Sequence, residues 1–306
     1  MKVVIIGRSE TLYNTAILLN NSGHEIVCIV TAKEAPDYKR SLDDFAILAE
    51  SWSIPLLIGS NIDKHSLLLQ ATNACIGVSI NFPGIIPQYI IDMFPLGILN
   101  AHGGDLPRYR GNACQAWAIL NGESQIGLCI HRMVGGELDS GDIIARDYYP
   151  LTNNTKITKV YEFFTKRVPE LYLLALCRLA VNPLFCLDVQ SKNKEDALRC
   201  YPRRPEDGRI DWDKPALYIL RLINASNKPY EGAFCEYEGK KLIIWDAELV
   251  VDHEIFFAVP GQITQIGKGF IEIACGENKL RLLEIEIENK TVKPDTVIRS
   301  IRKRLT

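Results

Sequence analysis

With 306 residues, 47% of them hydrophobic, the chain can bury one large core or two smaller ones, which excludes a disordered polypeptide and favours two domains. Thirty-five lysines and arginines against 37 acids leave a formal charge of −2, so no global field recruits nucleic acid or an anionic membrane. Nine scattered cysteines, with no CxxC pair and no closely spaced Cys/His cluster, read as reduced core residues and predict no metal site.

The opening run MKVVIIGRSE is too short for the hydrophobic region of a signal peptide, and no stretch approaches the ~18 apolar residues that span a bilayer. A cytoplasmic protein without a membrane partner is the expectation. Residues 3–6 form a β-branched run ending at Gly7, and residues 10–21 then carry helical spacing through Leu12, Ala16, Leu18 and Leu19. A second strand over 26–30 follows Ser22-Gly23, whose glycine suits a helix C-cap, so parallel pairing through a right-handed crossover is predicted. The alternation continues with a helix near 41–52, a strand over 55–58, a helix near 63–71, and strands over 75–80 and 97–101. A helix over 112–121 and a strand over 126–133 come next. A long helix over 155–181, stopped by Pro183, sets Tyr161, Phe164, Val168, Leu171 and Leu174 on its apolar side. This alternation means an α/β fold with a Rossmann-like, mostly parallel sheet.

Beyond residue 200 the texture changes to strand-like runs over 242–249, 255–258, 262–266, 270–275 and 279–287, separated by Gly, Asp and Pro. They predict a small, OB-like β-barrel. The polar stretch DVQSKNKEDALRC serves as a linker, giving domains at 1–188 and 201–306 joined by 189–200.

The densest chemical cluster is LNAHGGDLPRYRGNACQAW, residues 99–117. Asn100 and His102 end an apolar strand two residues apart, so their side chains share one face about 7 Å apart at the backbone. They sit where open α/β sheets place ligands, at the carboxyl end of a strand. Gly103 and Gly104 let the backbone turn and leave space beside the imidazole. The second cluster, IHRMVGGELDSGDII at 130–144, carries Asp139 between glycine-containing turns. As a turn residue it would cap its own backbone; as a partner of His102 it would favour the charged imidazole and raise its pKa. His131 reads as a structural strand residue, and His24, His65 and His253 have no chemical neighbours in sequence.

Asn100-Ala101-His102, the LPRYRG run at 106–111 and the ELDSGD run at 137–142 resemble the N10-formyltetrahydrofolate-dependent formyltransferases. YPRRPEDGRIDW at 201–212 and PYEGAF at 229–234 are similar to that family's C-terminal domain. The resemblance implies direct acyl transfer to an amine, with N10-formyltetrahydrofolate as cosubstrate. Asn100 would donate to the developing oxyanion, His102 would take the ammonium proton or help stabilise the oxyanion, and Asp139 would orient and charge His102. Folate would lie beside Phe82, Gly84, Ile85 and Ile86 and beside Val134, Gly135 and Asp142.

Within the family the wording of both clusters is closest to enzymes that formylate nucleotide-linked amino sugars, where Arg8, Gly103 and Arg110 would contact the substrate. Tyr201, Arg203 and Arg204 form the densest basic spot near the domain junction and suit a diphosphate. Residues 201–306 hold 17 basic and 17 acidic side chains, a balance that argues against tRNA as substrate. Methionyl-tRNA formyltransferase stays the alternative, with a non-catalytic folate- or nucleotide-binding module and a formyl-folate hydrolase behind it. The resemblance leaves a homodimer open. A nicotinamide oxidoreductase fits poorly, because the first turn, Gly7-Arg8-Ser9-Glu10, lacks the later glycines of the dinucleotide fingerprint.

Overall fold

The structure is a computed structural model that describes every residue except 37, 252 and 253, so His253 lies outside the described residues. The chain forms two compact units. One comprises Met1–Cys114, Ile126–Tyr149 and Tyr161–Cys200; the other comprises Gln115–Gln125, Pro150–Val160 and Tyr201–Thr306.

The first unit opens with β1 (Lys2–Gly7), α1 (Glu10–Asn21), β2 (Glu25–Thr31), α2 (Leu42–Ser51) and β3 (Leu56–Ile58). It continues through α3 (Ser66–Ala71), β4 (Ile76–Ile80), α4 (Gln88–Ile91), β5 (Ile98–His102) and the two-residue β6 (Arg110–Gly111). Then follow α5 (Cys114–Asn121), which belongs almost wholly to the second unit, and β7 (Gln125–Arg132), β8 (Ile143–Pro150), α6 (Ile157–Val181) and β9 (Arg199–Cys200). Seven strands make one sheet in the order β3-β2-β1-β4-β5-β7-β8. Pairing is parallel from β3 through β5 and turns antiparallel between β5 and β7.

The central strands are buried on both faces: Val3, Val4, Ile5 and Ile6 have no exposed surface, as a parallel sheet covered by helices requires. Two local devices set the βα turns. Ser41 and Asp44 form a reciprocal capping box at the start of α2. At the end of β1, Gly7 has φ +127°, and a Cβ there would sit 1.9 Å from the Ile80 carbonyl oxygen, so only glycine lets β1 and β4 end side by side.

On α6, Phe164, Val168 and Leu171 are buried, whereas Leu174 is 40% exposed. The buried stripe continues instead through Tyr172, Ala175, Leu176 and Leu179, so Leu174 lies off it, and Pro169 is accommodated inside the helix. The strand β8 and the short helix α4 were not expected from periodicity, since each is short or strongly polar along one face.

The second unit carries an amphipathic helix, α7 (Ala216–Ala225), with Ile219, Leu220, Leu222 and Ile223 buried. Its strands are β10 (Ala233–Tyr237), β11 (Lys240–Leu249), β12 (Ile263–Gly267), β13 (Phe270–Ala274), β14 (Lys279–Ile287) and β15 (Lys290–Val292). They form an antiparallel sheet in the order β10-β11-β14-β13-β12, with β15 on β14. Residues 255–258, expected as a strand, lie outside every strand, with Ile255 and Phe257 fully exposed. Apolar content makes a strand only where a partner edge accepts its backbone.

Candidate active site

Asn100 and His102 stand at the carboxyl end of β5, as the spacing predicts. Behind them the buried Tyr172 of α6 donates its hydroxyl to the Ser79 carbonyl at 2.6 Å, fixing the ends of β4 and β5 from the helix layer. On the other side β5 pairs antiparallel with β7, and the register sets Asn100 opposite His131 and His102 opposite Cys129. Directly opposed residues project to the same face. His131 is thus a neighbour of Asn100, with its Nε2 3.3 Å from the Asn100 Nδ2.

Asp139 arrives from the loop after β7 in a left-handed backbone conformation, φ 49°. Its carboxylate is shared: Oδ2 is 3.4 Å from His102 Nδ1 and Oδ1 is 3.5 Å from His131 Nε2. The Gly111 N–H donates to Oδ2 at 2.9 Å. Burial alone would raise the acid, but the two imidazoles and the Gly111 N–H outweigh it and hold the carboxyl well below the usual carboxylate range.

His102 is 7% exposed, and its Nε2 lies 2.7 Å from the Tyr109 carbonyl oxygen. Both ring nitrogens face oxygens, so both contacts are attractive only in the imidazolium. Burial nevertheless pushes the imidazole below its ordinary value, and the opposing pull of Asp139 and the Tyr109 carbonyl does not cancel it. Asp139 pulls His102 upward as expected, but desolvation of a ring enclosed by the protein exceeds the attraction of one carboxylate, so the net shift is downward. A neutral His102 has a hydrogen for only one of these contacts: with Nδ1–H on Asp139, the bare Nε2 faces the Tyr109 oxygen at 2.7 Å. Gly104 makes this enclosure possible, because a Cβ there would lie 2.5 Å from His102 Nε2 and 2.2 Å from the Tyr109 oxygen.

The loop that bears Asp139 is held by Gln190, which is 4% exposed. Its amide donates to the Asp139 carbonyl at 2.9 Å and the Gly141 carbonyl at 2.6 Å, and its Oε1 accepts from Arg110 at 2.8 Å. Arg110, expected at the substrate, is therefore engaged by residues of its own unit. Neither Gln190 nor His131 was found from the sequence. His131 carried one overlooked signal, a histidine at the end of the same strand whose following loop bears Asp139.

Of the residues expected at folate, Ile86 is buried in the core and Phe82 packs against it, whereas Ile85 is 84% exposed. Gly84 packs against the Ser60 carbonyl, and the Gly135 N–H donates to Gln88 at 2.7 Å, tying the loop after β7 to α4. Val134 is half-buried, and Asp142 accepts from the Gln190 backbone at 3.3 Å. Arg8 reaches the carbonyls of Lys33 and Asn81 at the carboxyl ends of β2 and β4. Gly103 follows His102 at a half-buried position.

In the second unit Tyr201 is exposed and its carbonyl accepts from Trp117. Arg203 lies over the Trp117 ring and donates to Asp207 and Ser226, while the Arg204 N–H is capped by Asp207. Among the described residues no group of three His, Cys, Asp or Glu side chains is placed to hold a metal ion. No helix among them is long and apolar enough to cross a membrane.

The family model described as "Formyl transferase" matches residues 1–176, and the one described as "Formyl transferase, C-terminal domain" matches residues 203–302. A methionyl-tRNA formyltransferase of Citrifermentans bemidjiense is 28% identical over 301 residues, which cover 96% of this chain and 91% of the relative. Among solved structures, an N-formyltransferase from Helicobacter canadensis in complex with folinic acid and dTDP-3-aminofucose superposes with a TM-score of 0.69 at 18% identity. That match covers 92% of this chain and 99% of the other. HypX from Aquifex aeolicus, in complex with tetrahydrofolic acid, superposes with a TM-score of 0.63 at 18% identity over 98% of this chain. This chain spans about half the length of HypX, 47% of that chain.

Proposed function

The chain belongs to the formyl transferase family, and on that premise we propose that it moves the formyl group of N10-formyltetrahydrofolate onto the amine of a nucleotide-linked amino sugar. The observation that carries this reading is the clustering of Asn100, His102 and Asp139, linked through His131, at the carboxyl end of β5. An amine attacks the formyl carbon while the Asn100 amide donates to the oxygen as it gains charge, and collapse of the tetrahedral intermediate breaks the bond to N10, releasing tetrahydrofolate with a proton taken up by N10. Losing such a donor costs ~10²–10³ in rate. To take the ammonium proton at Nε2, neutral His102 must release the Tyr109 carbonyl while Asp139 holds Nδ1–H. Proton exchange of this kind contributes ~10²–10⁴.

The exposed Ile85 offers an apolar face for a flat heterocycle, with Phe82, Gly84, Ile86, Val134, Gly135 and Asp142 as the remaining folate-side residues. Arg8, Gly103, Arg110, Tyr201, Arg203 and Arg204 are the proposed sugar-nucleotide contacts. On this reading residues 1–188 perform the transfer, and 189–200 link them to the domain at 201–306. The reaction takes place in the cytoplasm, and a homodimer is the assembly to test.

The amino-sugar acceptor is supported by the wording of the two clusters, by the charge balance of residues 201–306, and by the full-length fold match to the protein holding dTDP-3-aminofucose. One observation favours a second reading: the curated relative at 28% identity is a methionyl-tRNA formyltransferase. Incubating the full chain with formyl-folate and either dTDP-, UDP- and GDP-linked amino sugars or charged initiator tRNA separates the two by mass. A formyl gain on an amino sugar is expected. A gain on the tRNA alone would transfer the assignment to the second reading.

A further inference from the structure

We propose that His131 is a positioning residue of the transfer site, a standing imidazolium that fixes which end of the Asn100 amide faces the reacting centre. The inference rests on the formyl-transfer reading and adds to it a residue outside the Asn100, His102 and Asp139 set.

The hydrogen bonds of the ring assign its protons. His131 Nδ1 lies 2.8 Å from the Arg132 carbonyl oxygen, an acceptor only, so Nδ1 carries a hydrogen. Nε2 then faces two groups, the Asn100 amide at 3.3 Å and Asp139 Oδ1 at 3.5 Å. Were Nε2 bare, its lone pair would point at a carboxylate oxygen in a nearly dry site, since His131 is 2% exposed. It would also engage Asn100 through Nδ2–H and leave the amide oxygen as the end turned toward the substrate, where it repels an oxyanion.

A proton on Nε2 removes both conflicts. The contact with Asp139 becomes an ion pair, and the Asn100 amide, whose two ends are nearly isosteric, turns over so that its oxygen accepts from Nε2–H. The NH2 group then faces the reacting centre with two donors. The titratable groups paired with His131 are Asp139, from the loop after β7, and His102, from β5, whose ring centroid is 6.2 Å away at an interplanar angle of 83°. One carboxylate between two buried imidazoles matches one positive charge. Keeping that charge on His131 leaves His102 neutral, the form that can accept a proton from the amine.

Two measurements on the full chain test this. In a 15N-labelled sample at pH 7, long-range proton–nitrogen correlation reads the protonation of each histidine ring, with the His131 signals assigned by their loss in His131→Gln. Both His131 nitrogens should be protonated; a bare Nε2 overturns the proposal, and this readout needs no turnover and no variant that must be active. The second measurement is a kinetic cycle on the amine that the mass panel identifies. His131→Leu should lower kcat about 10–100-fold, a part of the ~10²–10³ attached to an oxyanion donor, with KM values within about threefold. His131→Gln, which retains an N–H near Nε2, should recover most of that loss. In an Asn100→Ala background the same His131→Leu change should cost under about threefold, because the histidine acts through the amide; full additivity overturns the proposal. If the native chain formylates no amine, the formyl-transfer reading fails, and the nitrogen spectrum still decides the His131 proton.

Discussion

Gly104→Ala puts the geometry around His102 to its sharpest test. The added methyl would stand 2.5 Å from His102 Nε2 and 2.2 Å from the Tyr109 oxygen, against an ordinary contact of 3.4–4 Å. About 1 Å of movement must be shared between a buried ring and a backbone carbonyl. Gly104 is not in the left-handed region, so the alanine meets no backbone penalty and the effect comes from crowding alone. Overpacking of this kind costs about 1–3 kcal/mol of stability, and a 1 Å misplacement of a reacting group costs about 10²-fold in rate. Steady-state kinetics with formyl-folate and the identified acceptor should therefore show kcat lowered by about two orders of magnitude. Thermal unfolding should show a folded protein with a lowered Tm. A folded Gly104→Ala variant with kcat within threefold of native would refute the claim that this glycine sets the His102 position.

Four further outcomes follow from the same contacts. Because burial depresses His102, the acid limb of kcat/KM should fall below the ordinary histidine value of 6.5, and a pH–rate profile with its acid limb above 6.5 would contradict the burial argument. For stability the sign is set by which state binds more protons: between the depressed folded value and 6.5 the unfolded chain does, so His102 makes stability rise with pH across that window. Asp139 is depressed as well, and its contribution, present above 3.8, is lost as pH falls below it, which urea unfolding at several pH values would read. Asp139→Asn should keep the fold and lower kcat by ~10²–10⁴, since the neutral amide cannot hold two imidazoles; single-turnover formyl transfer measures it. Gln190→Leu removes donors from the carbonyls of Asp139 and Gly141 and the side-chain acceptor of the half-buried Arg110, for a loss of about 2–3 kcal/mol in urea unfolding, and kcat should fall with it.

Local pattern determined much of this protein. The β-branched run after Met1, the helical spacing of residues 10–21 and the glycine at 23 are short-range signals, and β1, α1 and β2 form where they predict. Asn100 and His102 could be read as partners because a strand's period of two puts them on one face whatever the rest of the chain does. Asp139 needed the family resemblance, as nothing within its own loop says which imidazole it meets.

What remained hidden was set by pairing and packing. His131 joins Asn100 only because β7 runs antiparallel to β5, and a shift of one residue in that register would turn its ring to the other face. Gln190 lies in a polar stretch that reads as linker, yet it is buried because backbone carbonyls of the Asp139 loop require donors there. The apolar residues 255–258 show the converse, since hydrophobicity without a partner edge left them outside the sheet. The direction in which His102 shifts belongs to the same class: the sequence supplies the imidazole and the carboxylate, but the enclosure that outweighs their attraction exists only once the chain has closed around the ring.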